Sequence, residues 1–177
     1  KYDEGIAFLT KLPVYEVDAF YCSQHQCADS ILSRKILGLT VEYQGQFVDC
    51  YSCHINLPNC AGENQLDNIR NIVERSQSRN LKILMGEFNT DAISDPVSYQ
   101  KIKCLGLLDT FDIAEQKDSG ITVEKAIDGW NGHSEEKRLD YIFLNQPKQV
   151  LSSQVIFNGK NKPVVSDHFG LDVELIL

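Results

Sequence analysis

The sequence is short of several things. It has one Met, one Trp and five Pro in 177 residues, and it does not begin with Met. No apolar run approaches the ~20 residues that a membrane-spanning helix needs. No window is low in complexity, and no run of like charge is long enough to form a solvated tail. There is no internal repeat and no linker. The opening, Lys1 to Pro13, has the layout of neither a signal peptide nor a transit peptide. Basic residues are scarce as well: 17 Lys and Arg stand against 25 Asp and Glu, a net charge of −8. Neutralising phosphates supplies much of the affinity of nucleic-acid-binding proteins, which therefore carry basic faces. The balance here disfavours a polynucleotide partner and suits a small anion held by a few residues and a metal. The expectation is a cytoplasmic protein with neither a membrane nor a nucleic acid as partner.

What is present is enough for a core. Apolar residues make up 42% of the chain, and the length suits a single domain over 1–177. The six cysteines, Cys22, Cys27, Cys50, Cys53, Cys60 and Cys104, are even in number, as in a disulfide framework. A chain of this size does not need staples, however, and nothing signals secretion. They are read as mostly reduced.

Residues 5–12 are mostly apolar before Pro13 and read as a strand, and 14–33 read as a polar loop. Ile36 to Tyr43 and Phe47 to Ile55 are rich in β-branched and aromatic residues around Gln44-Gly45-Gln46, which predicts a hairpin. After a loop over 57–64, Leu66, Ile69, Ile72 and Val73 recur at helical spacing and predict a helix over 63–79. Leu81 to Met85 is a short buried strand. Ser94-Asp95-Pro96 starts a second helix that stops near Gly106. Residues 115–135 read as a long loop. Arg138 to Asn145, Val150 to Phe157 and Phe169 to Leu177 read as strands. The fold class is α+β: a two-sheet sandwich flanked by helices.

Four segments put polar groups where core strands begin or end, which is where rigid scaffolds carry sites. They are Ser52-Cys53-His54, Gly86-Glu87-Phe88-Asn89-Thr90, Arg138-Leu139-Asp140-Tyr141 and Ser166-Asp167-His168. Residues two apart on an extended chain share a face, so Glu87 and Asn89 are expected to face one phosphate and its attacking water. The plainer reading is a turn after a strand, where Gly and Asn are common. Asp140 is costly in an apolar strand unless paired. It is the expected orienting partner of His168, because a carboxylate fixes an imidazole's tautomer and raises its basicity. The plainer reading of His168 is a loop histidine, that of His54 a half-buried structural one, and His25 is left as a surface residue. Cys50-Tyr51-Ser52-Cys53-His54 matches the haem-attachment string C-x-x-C-H. It alternates like a core strand, though, and no export signal accompanies it. A zinc site on Cys50, Cys53 and Cys60 has no second close pair to complete it.

Taken in order, S-x-H, G-E-F-N, R-L-D-Y-I-F and S-D-H resemble the later motifs of the endonuclease/exonuclease/phosphatase family, which includes deoxyribonuclease I, apurinic endonucleases and bacterial sphingomyelinases. Glu4 to Pro13 resembles a further strand motif of that family. The resemblance spans nearly the whole chain. It implies a deoxyribonuclease I-like four-layer fold, incomplete at the N-terminus, with roughly the first third of a family member missing. It also implies roles. Glu87, where the family usually has Asp, would orient or deprotonate water. Asn89 would hold the phosphate or that water. His54 and His168 would flank the phosphate, and Asp140 would orient His168. Asp167 would help bind Mg²⁺ (or Mn²⁺), whose preference for oxygen suits carboxylates. Arg34 would contact phosphate. The family's metal-binding Glu has no counterpart, and Glu87 is a methylene longer than Asp.

The segment Lys125 to Lys137 holds the only Trp. Trp130, with His133 nearby, suits a sugar platform: the apolar face of a sugar stacks on the ring while its hydroxyls find polar partners. The plainer reading is a Trp packing its own loop. The run KDSGITVEKAIDGW is similar to bacterial maltose 6'-phosphate phosphatases within that family. The implied activity is metal-dependent hydrolysis of a phosphate monoester on a small phosphorylated sugar such as maltose 6'-phosphate. The alternatives are a phosphodiesterase or nuclease of the same family, or an inactive binding remnant.

Overall fold

The computed structural model describes residues 5–27, 30–75, 79–124 and 136–177. Its elements run β1 (Val14–Tyr21), β2 (Lys35–Tyr43), β3 (Gln46–His54), α1 (Gln65–Val73), β4 (Leu81–Glu87), α2 (Pro96–Lys103), β5 (Leu108–Asp109), α3 (Thr110–Ile113), β6 (Gln116–Lys117), β7 (Asp140–Leu144), β8 (Gln149–Ile156) and β9 (Gly170–Ile176). They form a six-stranded sheet in the order β1-β2-β3-β4-β7-β5 and a three-stranded sheet in the order β6-β8-β9. β3 and β4 pair in parallel, with α1 between them in the chain, and the other pairings of the larger sheet are antiparallel.

The larger sheet buries both faces. On one, Ile36, Tyr51, Cys53, Leu84, Tyr141 and Phe143 pack with Ile69 and Ile72 of α1 and with Tyr99 and Ile102 of α2. On the other, Val41, Val48, Leu81, Ile83 and Leu144 meet Val150, Val173 and Leu175 of the smaller sheet. The period-two alternation of the strands produces this arrangement, because successive side chains go to opposite faces. It also settles the C-x-x-C-H string. Cys50 belongs to the inter-sheet cluster and Cys53 to the helix-side cluster, so the two thiols face apart. All six cysteines are free, and burial pushes Cys50 up to about 11 and Cys22 up to about 12.

The hairpin forms as expected. Tyr43 pairs with Gln46 across a two-residue loop, with Gln44 and Gly45 at φ 50° and 79°, as a primed turn requires. α2 starts at Pro96 under an Asp95 cap. α1 is shorter than expected: Asn64 caps it through the amides of Leu66 and Asp67, and it ends at Val73. The apolar stripe ends there too, leaving no face for further turns to bury.

The N-terminal expectation is reversed. The strand is Val14–Tyr21, inside the segment read as a loop, and residues 5–12 form none. Glu16 and Asp18 give this edge strand a polar appearance, but its backbone is registered on β2 from Val14↔Val41 to Tyr21↔Lys35. Pairing, not apolar content, makes a strand. Within the segment read as a long loop, β6 pairs with β8, and Val123 bridges Lys137. No helix among the described residues is long and apolar enough to cross a membrane.

Candidate active site and metal centre

Three adjacent strands end or begin at one level of the larger sheet. His54 closes β3, Glu87 closes β4 and Asp140 opens β7, and the register pairs His54 with Glu87 and Glu87 with Asp140. The side chains follow. His54 Nε2 lies 3.4 Å from Glu87 Oε2. His168 reaches the same place from the segment before β9, in the other sheet, with Nδ1 2.8 Å from Asp140 Oδ2. Glu87, Asp140 and His168 each offer a ligand atom, all within 4.8 Å of one another. All four side chains are partly shielded, from 16% exposed at His168 to 36% at His54, so a hydrated ion or a phosphate can reach them.

The backbone at Gly86 makes this convergence possible. Its φ is 131°, and a Cβ there would stand 2.1 Å from the Cys53 carbonyl oxygen. Only glycine lets β4 come this close to β3 one residue before Glu87.

Burial pulls the His168 imidazole down. The hydrogen bond and charge of Asp140 outweigh it, with the charges of Glu87 and Asp167 adding to the effect, and the net result is a raised pKa. The Asp140 contact also fixes the tautomer: with the proton on Nδ1, the lone pair is on Nε2.

The other expected residues divide. Asn89 does not share the Glu87 face by simple alternation. It sits at φ 53°, just past the end of β4, and its Nδ2 donates to the Ile55 carbonyl at 2.9 Å. Extended geometry ends at Glu87, and Asn tolerates the left-handed region that follows. Asp167 lies outside the Glu87–Asp140–His168 cluster, exposed, accepting from Ser166 Oγ at 3.0 Å. Arg34 stands where β2 begins, with its Nε donating to Asn56 Oδ1. Trp130 and His133 lie outside the described residues. His25 is exposed, as expected, and its Nδ1 is 2.5 Å from Glu63 Oε1.

Sequence reasoning missed the residues that hold the loops. Gln65, buried at the first turn of α1, donates to the carbonyls of Asn56 and Phe88 at 2.7 and 2.8 Å and accepts from Thr90 Oγ1 at 2.9 Å. It thus clamps the turns after β3 and β4 together. A polar residue on the buried face of a predicted helix was the available signal. Arg138 is buried against Asp109, with its guanidinium over the rings of Phe111, Tyr141 and Tyr99 at 4.3, 4.8 and 5.6 Å. Thr122 contacts both segments that deliver Asp140 and His168, and no spacing rule marks it.

The donor set fits a hard divalent cation. Two carboxylates and an imidazole, each partly shielded, match the oxygen-rich, partly hydrated coordination of Mg²⁺ and admit Mn²⁺, which accepts nitrogen more readily.

Neither a protein-family model nor a curated protein matches the chain. Solved structures do. An endonuclease/exonuclease/phosphatase family protein from Leptotrichia buccalis is 49% identical with a TM-score of 0.89, over 95% of this chain and 64% of that one. A mannosyl-6-phosphatase from Bacteroides thetaiotaomicron has a TM-score of 0.72 at 19% identity, over 94% of this chain and 68% of that one. An endonuclease/exonuclease/phosphatase family protein from the same organism has a TM-score of 0.71 at 22% identity, over 93% and 65%. The fold is that of the endonuclease/exonuclease/phosphatase proteins. The chain spans less than two thirds of the Leptotrichia protein's length. In an endonuclease/exonuclease/phosphatase fold, the Glu87–Asp140–His168 cluster is a candidate metal centre at the end of the sheet sandwich.

Proposed function

We propose that this chain belongs to the endonuclease/exonuclease/phosphatase family and takes part in the metal-dependent hydrolysis of a phosphate monoester on a small sugar. The observation that carries the reading is the meeting of Glu87, Asp140 and His168 within 4.8 Å, from three segments and two sheets, with His54 beside Glu87. Such a cluster costs desolvation and like-charge repulsion, which binding a cation offsets.

The chemistry needs an aligned water, a neutralised phosphate and a proton for the leaving alkoxide. A divalent cation held by Glu87 with Asp140 or Asp167 would supply the charge neutralisation. Asp140 holds the His168 proton on Nδ1 and stabilises the imidazolium. The raised pKa of His168 favours a protonated ring that donates from Nε2 to a phosphate or leaving-group oxygen. Glu87 would accept a proton from water, and His54, beside it, would donate to a phosphate oxygen. Asn89 keeps its amide oxygen for the ligand while its nitrogen holds Ile55, and Arg34 adds charge at the start of β2.

Two features favour a sugar. The net charge of −8 repels a long polyanion, and a protein of this fold is named a mannosyl-6-phosphatase. Trp130 and His133 are the proposed sugar contacts, and the cytoplasm the proposed compartment.

The test is phosphate release from mannose 6-phosphate, glucose 6-phosphate and maltose 6'-phosphate, beside nicked plasmid and sphingomyelin, with Mg²⁺, with Mn²⁺ and with chelator. Release from sugar phosphates alone is expected. It should depend on the cation and be lost in Glu87→Gln. Turnover confined to plasmid or lipid rejects the sugar reading, and cation-independent turnover rejects the metal.

A further inference from the structure

We propose that Thr122 is the positioning residue that holds Asp140 and His168 in register, by joining the two sheets at the candidate site. Thr122 is fully buried and belongs to no strand. Its Oγ1 accepts from the backbone N–H of Leu139 at 3.1 Å and of Asp140 at 3.3 Å. Its carbonyl accepts from the N–H of Phe169 at 2.8 Å, and its own N–H donates to the Lys137 carbonyl at 3.0 Å. One residue therefore holds the backbone at Asp140, where β7 of the larger sheet begins, and at Phe169, the residue after His168, where the chain enters the smaller sheet.

The arrangement has a functional consequence because Asp140 and His168 come from different sheets. Within a sheet, ladder hydrogen bonds fix register. Between sheets the contact is side-chain packing, which lacks the directional hydrogen bonds that fix register. The Asp140–His168 hydrogen bond crosses that boundary at 2.8 Å. Thr122 supplies a hydrogen-bonded path across the same boundary, through Oγ1 to β7 and through its carbonyl to Phe169. The hydroxyl is also the acceptor for two amides, one buried and one partly buried, which are costly to leave unpaired. Val conserves the shape of Thr but offers no acceptor. In a Thr122→Val protein the start of β7 must move to satisfy those amides, and Asp140 moves with it. Displacement of a catalytic pair by about an ångström costs ~100-fold in rate.

The catalytic consequence rests on the phosphoesterase reading above, whereas the positional claim does not. The experiment therefore has two arms, on the 177-residue chain and its Thr122→Ser, Thr122→Val and Thr122→Ala variants. The first arm is NMR on protein labelled with ¹⁵N at histidine, which reports the His168 Nδ1–H. Hydrogen-bonded to Asp140, that proton exchanges slowly and resonates far downfield, and His168→Asn assigns it. Wild type and Thr122→Ser are expected to keep the resonance. The hydroxyl-free variants, shown folded by their amide spectra, are expected to lose it. The second arm is kinetics on the best sugar phosphate. There kcat should fall ~100-fold in the hydroxyl-free variants, with KM nearly unchanged, and Thr122→Ser should restore it. The proposal is overturned if a folded hydroxyl-free variant keeps the resonance, or if Thr122→Ser loses it. Where neither hydroxyl-free variant folds, Thr122→Ser decides alone by the same criterion. A chain that releases no phosphate from any sugar leaves the first arm intact, so failure of the functional reading and failure of Thr122 are told apart.

Discussion

His168 is held between opposing influences: burial opposes its charge, and Asp140 favours it. Asp140→Asn removes the strongest influence that raises the pKa and leaves burial opposed only by the charges of Glu87 and Asp167. The His168 pKa should then fall, read by titrating the ring resonances. An unchanged titration would mean that the 2.8 Å contact carries no energy in solution. Glu63 offers a second check, away from the site. Burial alone would raise its carboxyl. The amides of His25 and Gln24, the Asn68 side chain and the His25 ring outweigh burial and hold it at about 2, against an ordinary 4.5. A folded pKa below the unfolded one contributes stability above the unfolded value and loses it as pH falls toward the folded one. Glu63→Gln should therefore destabilise the fold by about 1 to 3 kcal/mol at pH 7. The gap to wild type should narrow between pH 4.5 and about 2, as measured by denaturant unfolding at several pH values. The sequence disclosed Asp140 and His168 because their surroundings were unusual: a carboxylate in an apolar strand, and an imidazole beside an acid at a strand start. It disclosed nothing of Glu63, whose partners Gln24 and His25 lie nearly forty residues away in the loop before β2.

Among the elements, β4 is the most exacting. It is paired on both sides, and at Gly86 the backbone takes a conformation closed to other residues. Gly86→Ala puts a methyl into the Cys53 carbonyl and should cost about 3 kcal/mol or more, seen as a lowered Tm. A variant of wild-type stability would show that β3 and β4 do not approach this closely. Elements with a strong local signal were legible: the hairpin through its Gln-Gly turn, α2 through Asp95-Pro96, β4 through an apolar run interrupted only by Lys82. β1 was not, because an edge strand is made by its partner, and Glu16 and Asp18 hide its alternation. The far end of α1 was not either, since Glu74 and Arg75 suit a helix by propensity but are exposed. The orientation of Asn89 was not legible for a related reason: β4 ends at Glu87, and two residues later the Asn89 backbone is left-handed, so strand alternation does not reach it.

For the whole molecule, the site lies where two sheets meet, and the larger sheet must be held rigid behind it. The buried Arg138–Asp109 pair, roofed by Phe111, Tyr141 and Tyr99, joins the start of β7 to β5. Asp109→Ala leaves a buried guanidinium without its partner and should cost about 3 to 5 kcal/mol, read by urea unfolding. A loss under about 1 kcal/mol, typical of an exposed pair, would contradict that placement. The sandwich as a class was legible from the count and alternation of strands. The convergence of His54, Glu87, Asp140 and His168 could not be read from spacing, because it depends on a register that joins β3, β4 and β7 and on a contact between sheets. The motifs named the residues, and the fold put them together. The most direct measurement of that meeting is titration of the ¹⁵N,¹³C-labelled chain with Mn²⁺, whose paramagnetism broadens nearby resonances. The account predicts that substoichiometric Mn²⁺ first broadens the His54 and His168 rings and the Glu87 and Asp140 side chains together, and that excess Mg²⁺ reverses it. Broadening that begins at exposed carboxylates elsewhere, or that reaches these four at different Mn²⁺ concentrations, would contradict it.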